Sequence, residues 1–163
     1  MLLQIYSNTF IMSEASQLLV RRIKNGTVID HINQGRALMV LRALNITGEE
    51  GNVITVALNV PSNKHSRKDI IKIEGKYLEE NETDKLALIT PDATINLIKD
   101  YKVVEKRKIE MPKILRNIFK CPNLMCITNS EDMISIIEII DRKTNTLQCK
   151  YCNRTLTRKD ISF

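Results

Sequence analysis

The sequence predicts an α+β chain built as two unlike modules. Three observations carry that class. Segments of strand and helix character alternate in the order β-α-β-β-α-β between residues 27 and 109. A Glu110-Met111-Pro112 step then interrupts the pattern. All four cysteines follow it, between Cys121 and Cys152.

Thr27–Ile32 (TVIDHI) is short and β-branched and reads as a strand. Arg36–Leu44 carries Leu, Met, Val and Ala at helical spacing. Asn45 and the run Gly48–Asn52 mark a turn. Val53–Val60 is a second strand, ended by Pro61. Asp69–Glu74 is a third; its period places Lys68, Ile70, Lys72 and Glu74 on one face and Ile71 and Ile73 on the other. Thr83–Ile89 is a short helix, with Thr83 as N-cap and Pro91 as stop. Thr94–Ile98 and Lys102–Ile109 are strands joined by Lys99-Asp100-Tyr101. This is the split β-α-β order of a ferredoxin-like sandwich, with one strand added.

In the second module, Lys113–Lys120 reads as a helical or irregular connector. Met133–Ile140 is too apolar for a solvated loop, and Asp141–Thr146 is a turn. The expected organisation is a flexible tail over 1–19, a first module over 20–108 and a second over 109–163.

The cysteine spacing is C-x4-C-x22-C-x2-C: Cys121, Cys126, Cys149 and Cys152. Two short-spaced pairs at the ends of a hairpin can converge on one ion. Four thiolates suit tetrahedral zinc and leave no open position, so the site is structural. The expected module is small, all-β and zinc-ribbon-like, with the metal supplying much of its folding energy. The competing reading is two disulfides or unrelated buried cysteines. No membrane-length apolar run and no convincing signal peptide occur, so a cytoplasmic location is expected, where disulfides are disfavoured. Met12-Ser13-Glu14 resembles an alternative start, although a frayed tail is the plainer reading of residues 1–11.

The net charge is +6, which favours a polyanionic partner without choosing one. Lys64, His65, Arg67, Lys68, Lys72 and Lys76 crowd in or near the third strand. Lys106 lies on the last strand, and Asp30 and His31 end the first. If these faces coincide, ammoniums and an imidazole surround a carboxylate, a mixture that suits phosphates and ribose hydroxyls. A charged, solvated sheet face is the alternative. No Gly-rich phosphate loop and no nucleophile–base pairing is present, which argues against a P-loop, a Rossmann site and catalysis.

Several stretches together resemble the regulatory chain of aspartate carbamoyltransferase. They are Gly26–Ile32 (GTVIDHI), Leu58–Ser62 (LNVPS), Arg67–Glu74 (RKDIIKIE), Leu86–Leu88 (LAL), Pro91–Asn96 (PDATIN), Tyr101 with Val103-Val104, Cys121–Ile127 (CPNLMCI) and Cys149–Cys152 (CKYC). The resemblance covers about residues 20–155. It implies a non-catalytic allosteric subunit that binds CTP, ATP and UTP and dimerises through its first module. The zinc module would grip the catalytic chain in a dodecamer of two catalytic trimers and three regulatory dimers. Carried over by position, Asp30 and Lys72 would meet the ribose, and His31 and Lys106 the phosphates. Lys68 would add positive charge nearby. Val20, Ile23, Tyr101 and Val103 would line the base pocket, with Asn96 and Ile98 close by. Asn123 matches a catalytic-chain contact. Arg21 and Arg22 stand where the family's best-known member has Glu-Ala, and Met125 and Asn153 where it has Asn and Glu.

The rival reading is a zinc-ribbon nucleic-acid binder, supported by Lys150, Arg154, Arg158 and Lys159. Aromatic content of only 4% speaks against it. So does the second module's balance of 9 basic against 6 acidic residues, since four thiolates with Zn2+ offset most of that excess. A membrane partner is not expected.

Overall fold

The computed structural model describes residues 21–62 and 66–161. The expected tail over 1–19 lies outside them, as do Val20, Lys64 and His65.

The first module runs β1 (Gly26–Asn33), α1 (Ala37–Ala43), β2 (Ile54–Pro61), β3 (Arg67–Glu74), α2 (Glu80–Ile89), β4 (Thr94–Lys99) and β5 (Lys102–Lys108). The strands form one antiparallel sheet in the order β2-β3-β1-β4-β5. This is the expected sandwich, with β5 added at an edge. Ile29, Ile71, Ile73 and Ile95 point inward and pack with Val40, Leu86 and Ile89 of the two helices. The alternation expected along β3 holds: Ile71 and Ile73 are buried, while Lys68, Ile70 and Lys72 are half-buried on the other face. Gly26 opens β1 at φ +135, and a Cβ there would meet the Ile73 carbonyl oxygen at 2.0 Å. Only glycine fits that start.

Three expectations are corrected. Pro61 does not stop β2 at Val60; it is the last strand residue, paired with Arg67 on an edge where no ladder donor is needed. Thr83 is not the N-cap of α2, which begins one turn earlier. Glu79 caps it, and a capping box joins Glu79 and Glu82. The Thr83 hydroxyl instead donates to the Glu80 carbonyl at 2.7 Å. Lys113–Lys120 is not a helical or irregular connector throughout, because it contains β6 (Ile114–Arg116).

Glu82 accepts the Glu79 amide at 3.0 Å and pairs with Lys76 at 2.9 Å. Burial opposes its ionisation, but those two partners outweigh it and hold its pKa below the ordinary 4.5. Glu82→Ala is expected to cost about 1 kcal/mol, the scale of a lost cap. Because the folded pKa is depressed, the contribution is present above pH ~4.5 and is lost as acid titrates through the lowered value. Thermal melts of both variants from pH 7 to pH 3 should converge; a constant gap would rule the carboxylate out.

The second module has β6, a one-turn helix α3 (Ile127–Ser130), β7 (Ile136–Asp141), β8 (Thr146–Cys149) and β9 (Thr155–Leu156), then a 3-10 turn. Its antiparallel sheet is ordered β6-β7-β8-β9. Leu115, Ile137, Leu147 and Leu156 form its core with three cysteines. The run Met133–Ile140 is only partly interior: Ile137 is buried, but Ile134 and Ile140 are exposed.

The two cores meet at one helix. Leu88 belongs to α2, yet it packs in the core of the second module. Met111 packs against both cores. Among the described residues no helix is long and apolar enough to cross a membrane.

Candidate functional site

The sheet face opposite the helices collects the charged residues. Strand register lines up Thr55, Lys72, Val28, Asn96 and Lys106 in a single row across all five strands. Lys72 and Lys106 stand three strands apart, about 14 Å at the backbone. An elongated ligand laid along the row would meet both ammoniums.

Asp30 and His31 do not end β1 but sit in a bulge within it, where the register slips between Ile29 and Ile32. His31 takes φ +59 there. The bulge brings two consecutive side chains together, whereas a regular strand would send them to opposite faces. Asp30 Oδ1 accepts the His31 amide at 2.7 Å, and its Oδ2 lies 3.4 Å from His31 Nδ1. Lys68 Nζ reaches Asp30 Oδ1 at 2.7 Å and Oδ2 at 3.0 Å.

Residues 21–25 run along the rim of this face. Lys72 Nζ donates to the Arg21 carbonyl at 2.6 Å. Burial lowers the Lys72 pKa; Asp30 opposes that shift and the Arg22 guanidinium adds to it. Arg22 Nη2 lies 3.4 Å from the Tyr101 carbonyl, and the Tyr101 amide donates to the Lys24 carbonyl at 2.9 Å. Ile23 and Ile98 are buried, while Tyr101 and Val103 are exposed. Ile98 pairs with Val103 across β4 and β5. The result is a charged row with apolar groups at one end.

Two basic residues of the sequence cluster lie elsewhere. Lys76 pairs with Glu82, and Arg67 donates to the Asn59 carbonyl at 2.7 Å.

The four cysteines converge, with all their sulfurs within 4.8 Å of one another. Cys121 and Cys152 Sγ atoms are 3.7 Å apart, and those of Cys126 and Cys149 3.8 Å apart. A disulfide needs about 2.05 Å. Four sulfurs at about 2.3 Å from a tetrahedral metal would be about 3.8 Å apart, so the donor set fits a metal site with four thiolate ligands. Burial pushes the Cys121 thiol up to about 12 and raises Cys149 as well. Burial also opposes ionising Cys152, but the Asn123 side chain, the Arg154 backbone and the facing thiols bring it down to about 6. Such a cluster retains protons that a cation must displace. The Thr128 hydroxyl donates to Cys126 Sγ at 3.3 Å, and Asn129 Nδ2 donates to the carbonyls of Cys121 and Asn123 at 2.8 Å.

Asn123 belongs to this knuckle; its Oδ1 accepts the Met125 amide at 3.2 Å. Sequence reasoning named Met125 only as a departure from the family and passed over Leu124 and the exposure of the pair. Leu124 is 87% and Met125 91% exposed, an apolar tip that a solvated knuckle would not require. Two adjacent apolar residues inside a C-x4-C loop were the available signal. Asp69 was also missed. It is fully buried on the core side of β3, and an acid in an otherwise apolar inward period was the signal.

Comparison with known proteins identifies the family of both modules. Residues 18–110 match the family model described as the allosteric domain of the aspartate carbamoyltransferase regulatory chain. Residues 113–162 match that of its metal binding domain. The chain is 52% identical over 151 residues to the aspartate carbamoyltransferase regulatory chain of Nitrosopumilus maritimus, covering 92% of this chain and 99% of that one. It is 54% identical to the one from Cenarchaeum symbiosum, over 86% of this chain and 93% of that protein. For Hyperthermus butylicus the identity is 50%, over 93% and 96%. The chain therefore belongs to the family of aspartate carbamoyltransferase regulatory chains, non-catalytic subunits with an allosteric and a metal-binding domain.

Proposed function

We propose that the open sheet face binds the nucleoside triphosphates CTP, ATP and UTP, and that zinc fills the cysteine site. The observation that carries the nucleotide reading is the row Lys72–Val28–Asn96–Lys106 beside the Asp30 bulge. Asp30 and Lys72 take the ribose hydroxyls, and His31 and Lys106 take phosphates. Lys68 adds positive charge. Ile23, Tyr101, Val103, Asn96 and Ile98 surround the base, joined by Val20. Soft thiolates in a tetrahedral set favour zinc among divalent ions.

The first module spans about 20–108 and forms a homodimer; the second spans about 109–163 and seats on the catalytic chain. The exposed Leu124-Met125 tip beside Asn123 supports that seat. Two catalytic trimers and three such dimers then make a dodecamer in the cytoplasm. Regulation is a coupling free energy between two chains: a nucleotide shifts the assembly only by its difference in affinity for the two quaternary states.

Lys106→Ala is expected to weaken CTP or ATP binding by about 1–3 kcal/mol, the scale of a charged hydrogen bond. Titration calorimetry giving wild-type affinity would remove Lys106 from the site. Co-purification with the catalytic chain, then activity with and without each nucleotide, tests the whole reading. A salt-sensitive gel shift with DNA or RNA, and no response to nucleotides, would favour the nucleic-acid alternative.

A further inference from the structure

Building on the nucleotide reading, we propose that Asp69 is a positioning residue. It fixes the backbone that presents Asp30 to the ribose and His31 and Lys68 to the phosphates, without touching the ligand itself.

Asp69 has no exposed surface and lies on the core side of β3. Its Oδ1 accepts the Asn59 amide at 3.0 Å, and its Oδ2 accepts the Ala37 amide at 3.2 Å. Asn59 lies in a second bulge, in β2 between Ala57 and Val60, at φ +57. The bulge of β1 lies on the other side of β3, where Asp69 pairs with Ile32 and Lys68 with Asn33. One strand is therefore flanked by two irregular neighbours at the same level. The Asp69 carboxylate holds both: the β2 bulge directly, and β1 through Ala37, just after the chain turns from Asn33 into α1.

Bulges aim side chains. With the β1 bulge in place, Asp30 and His31 work side by side. Regularised by one residue, the strand would turn one of them toward the core. Without the carboxylate, the Asn59 amide in the β2 bulge and the Ala37 amide at the start of α1 lose the acceptor that ties both to β3, and the irregular pairing loses its anchor. Lys68, next to Asp69 in β3, follows through its ion pair with Asp30.

Asp69→Asn tests this in the metal-loaded full chain. The amide keeps the shape but offers a single oxygen, so one backbone donor loses its acceptor. Hydrogen exchange at the His31 amide should speed at least tenfold, with amides of α2 unchanged. Calorimetry should show at least a tenfold loss of CTP affinity and a smaller loss for CMP, which shares the ribose contact of Asp30 but brings fewer phosphates to His31 and Lys68. Uniform acceleration across the module, or a CTP-to-CMP ratio equal to wild type, would overturn the assignment. A wild type that binds no nucleotide defeats the functional reading alone, and the exchange result still decides Asp69. If the variant does not fold, wild-type exchange decides instead. CTP should slow the Ala37 and Asn59 amides more than CMP does; equal rates would overturn the proposal.

Discussion

Removal of the metal is expected to unfold residues 113–161 as a unit while the five-stranded sheet persists. The core of that module is Leu115, Ile137, Leu147 and Leu156 around three buried cysteines. Without the ion, four sulfurs within 4.8 Å of one another have no cation to hold the two knuckles together, and burial favours the protonated thiols of Cys121 and Cys149. Structural zinc sites contribute on the order of 10–16 kcal/mol, more than so small a core supplies by itself. Cys149→Ser should have the same effect, because Cys149 is fully buried and sits on the β8 ladder opposite Ile137. Amide spectra before and after chelation, with the residual metal measured, read the result. A second module that keeps its dispersed spectrum after verified metal loss would refute a structural role. The same treatment should release the chain from its catalytic partner.

Leu88→Ala should weaken both modules. Its side chain is 1% exposed and packs with Leu115 and the cysteine cluster, although α2 is built into the first module. Emptying such a site costs about 2–5 kcal/mol, more where the walls cannot collapse. The walls here belong partly to a metal-locked module, which limits collapse. Urea unfolding followed by amides of each module should give lower midpoints in both. A change confined to the first module would show that Leu88 does not bridge them. In the assembled enzyme, the variant should also blunt the response to nucleotides, since α2 joins the sheet to the metal module.

Local chemistry was the readable part of the sequence. β-branched runs such as Thr27–Ile32 and Asp69–Glu74 declare strands because their side chains suit a pleated, half-buried surface. The cysteine spacing declares a metal site because ligand geometry is strict. Long-range pairing was not readable. No property of Lys72, Asn96 or Lys106 by itself states that they share a row; that follows from the register of four strand pairs. The bulge at Asp30 and His31 was hidden because its cause, Asp69, lies far along the chain. Glu79 was passed over as a cap because Glu is not among the residues that favour that position. β6, at three residues, is too short to reveal a period.

The ion pair between Asp30 and Lys68 has a consequence for selectivity. A bare lysine pocket would fill with free inorganic phosphate. Here any incoming anion that recruits Lys68 must draw it from a carboxylate, leaving that carboxylate in need of donors. Inorganic phosphates arrive with few to spare. A nucleotide brings two ribose hydroxyls on the same molecule and can supply the donors that the carboxylate has lost. The pair acts as a filter that inorganic ions pass poorly, so the face would report nucleotide levels rather than the phosphate background.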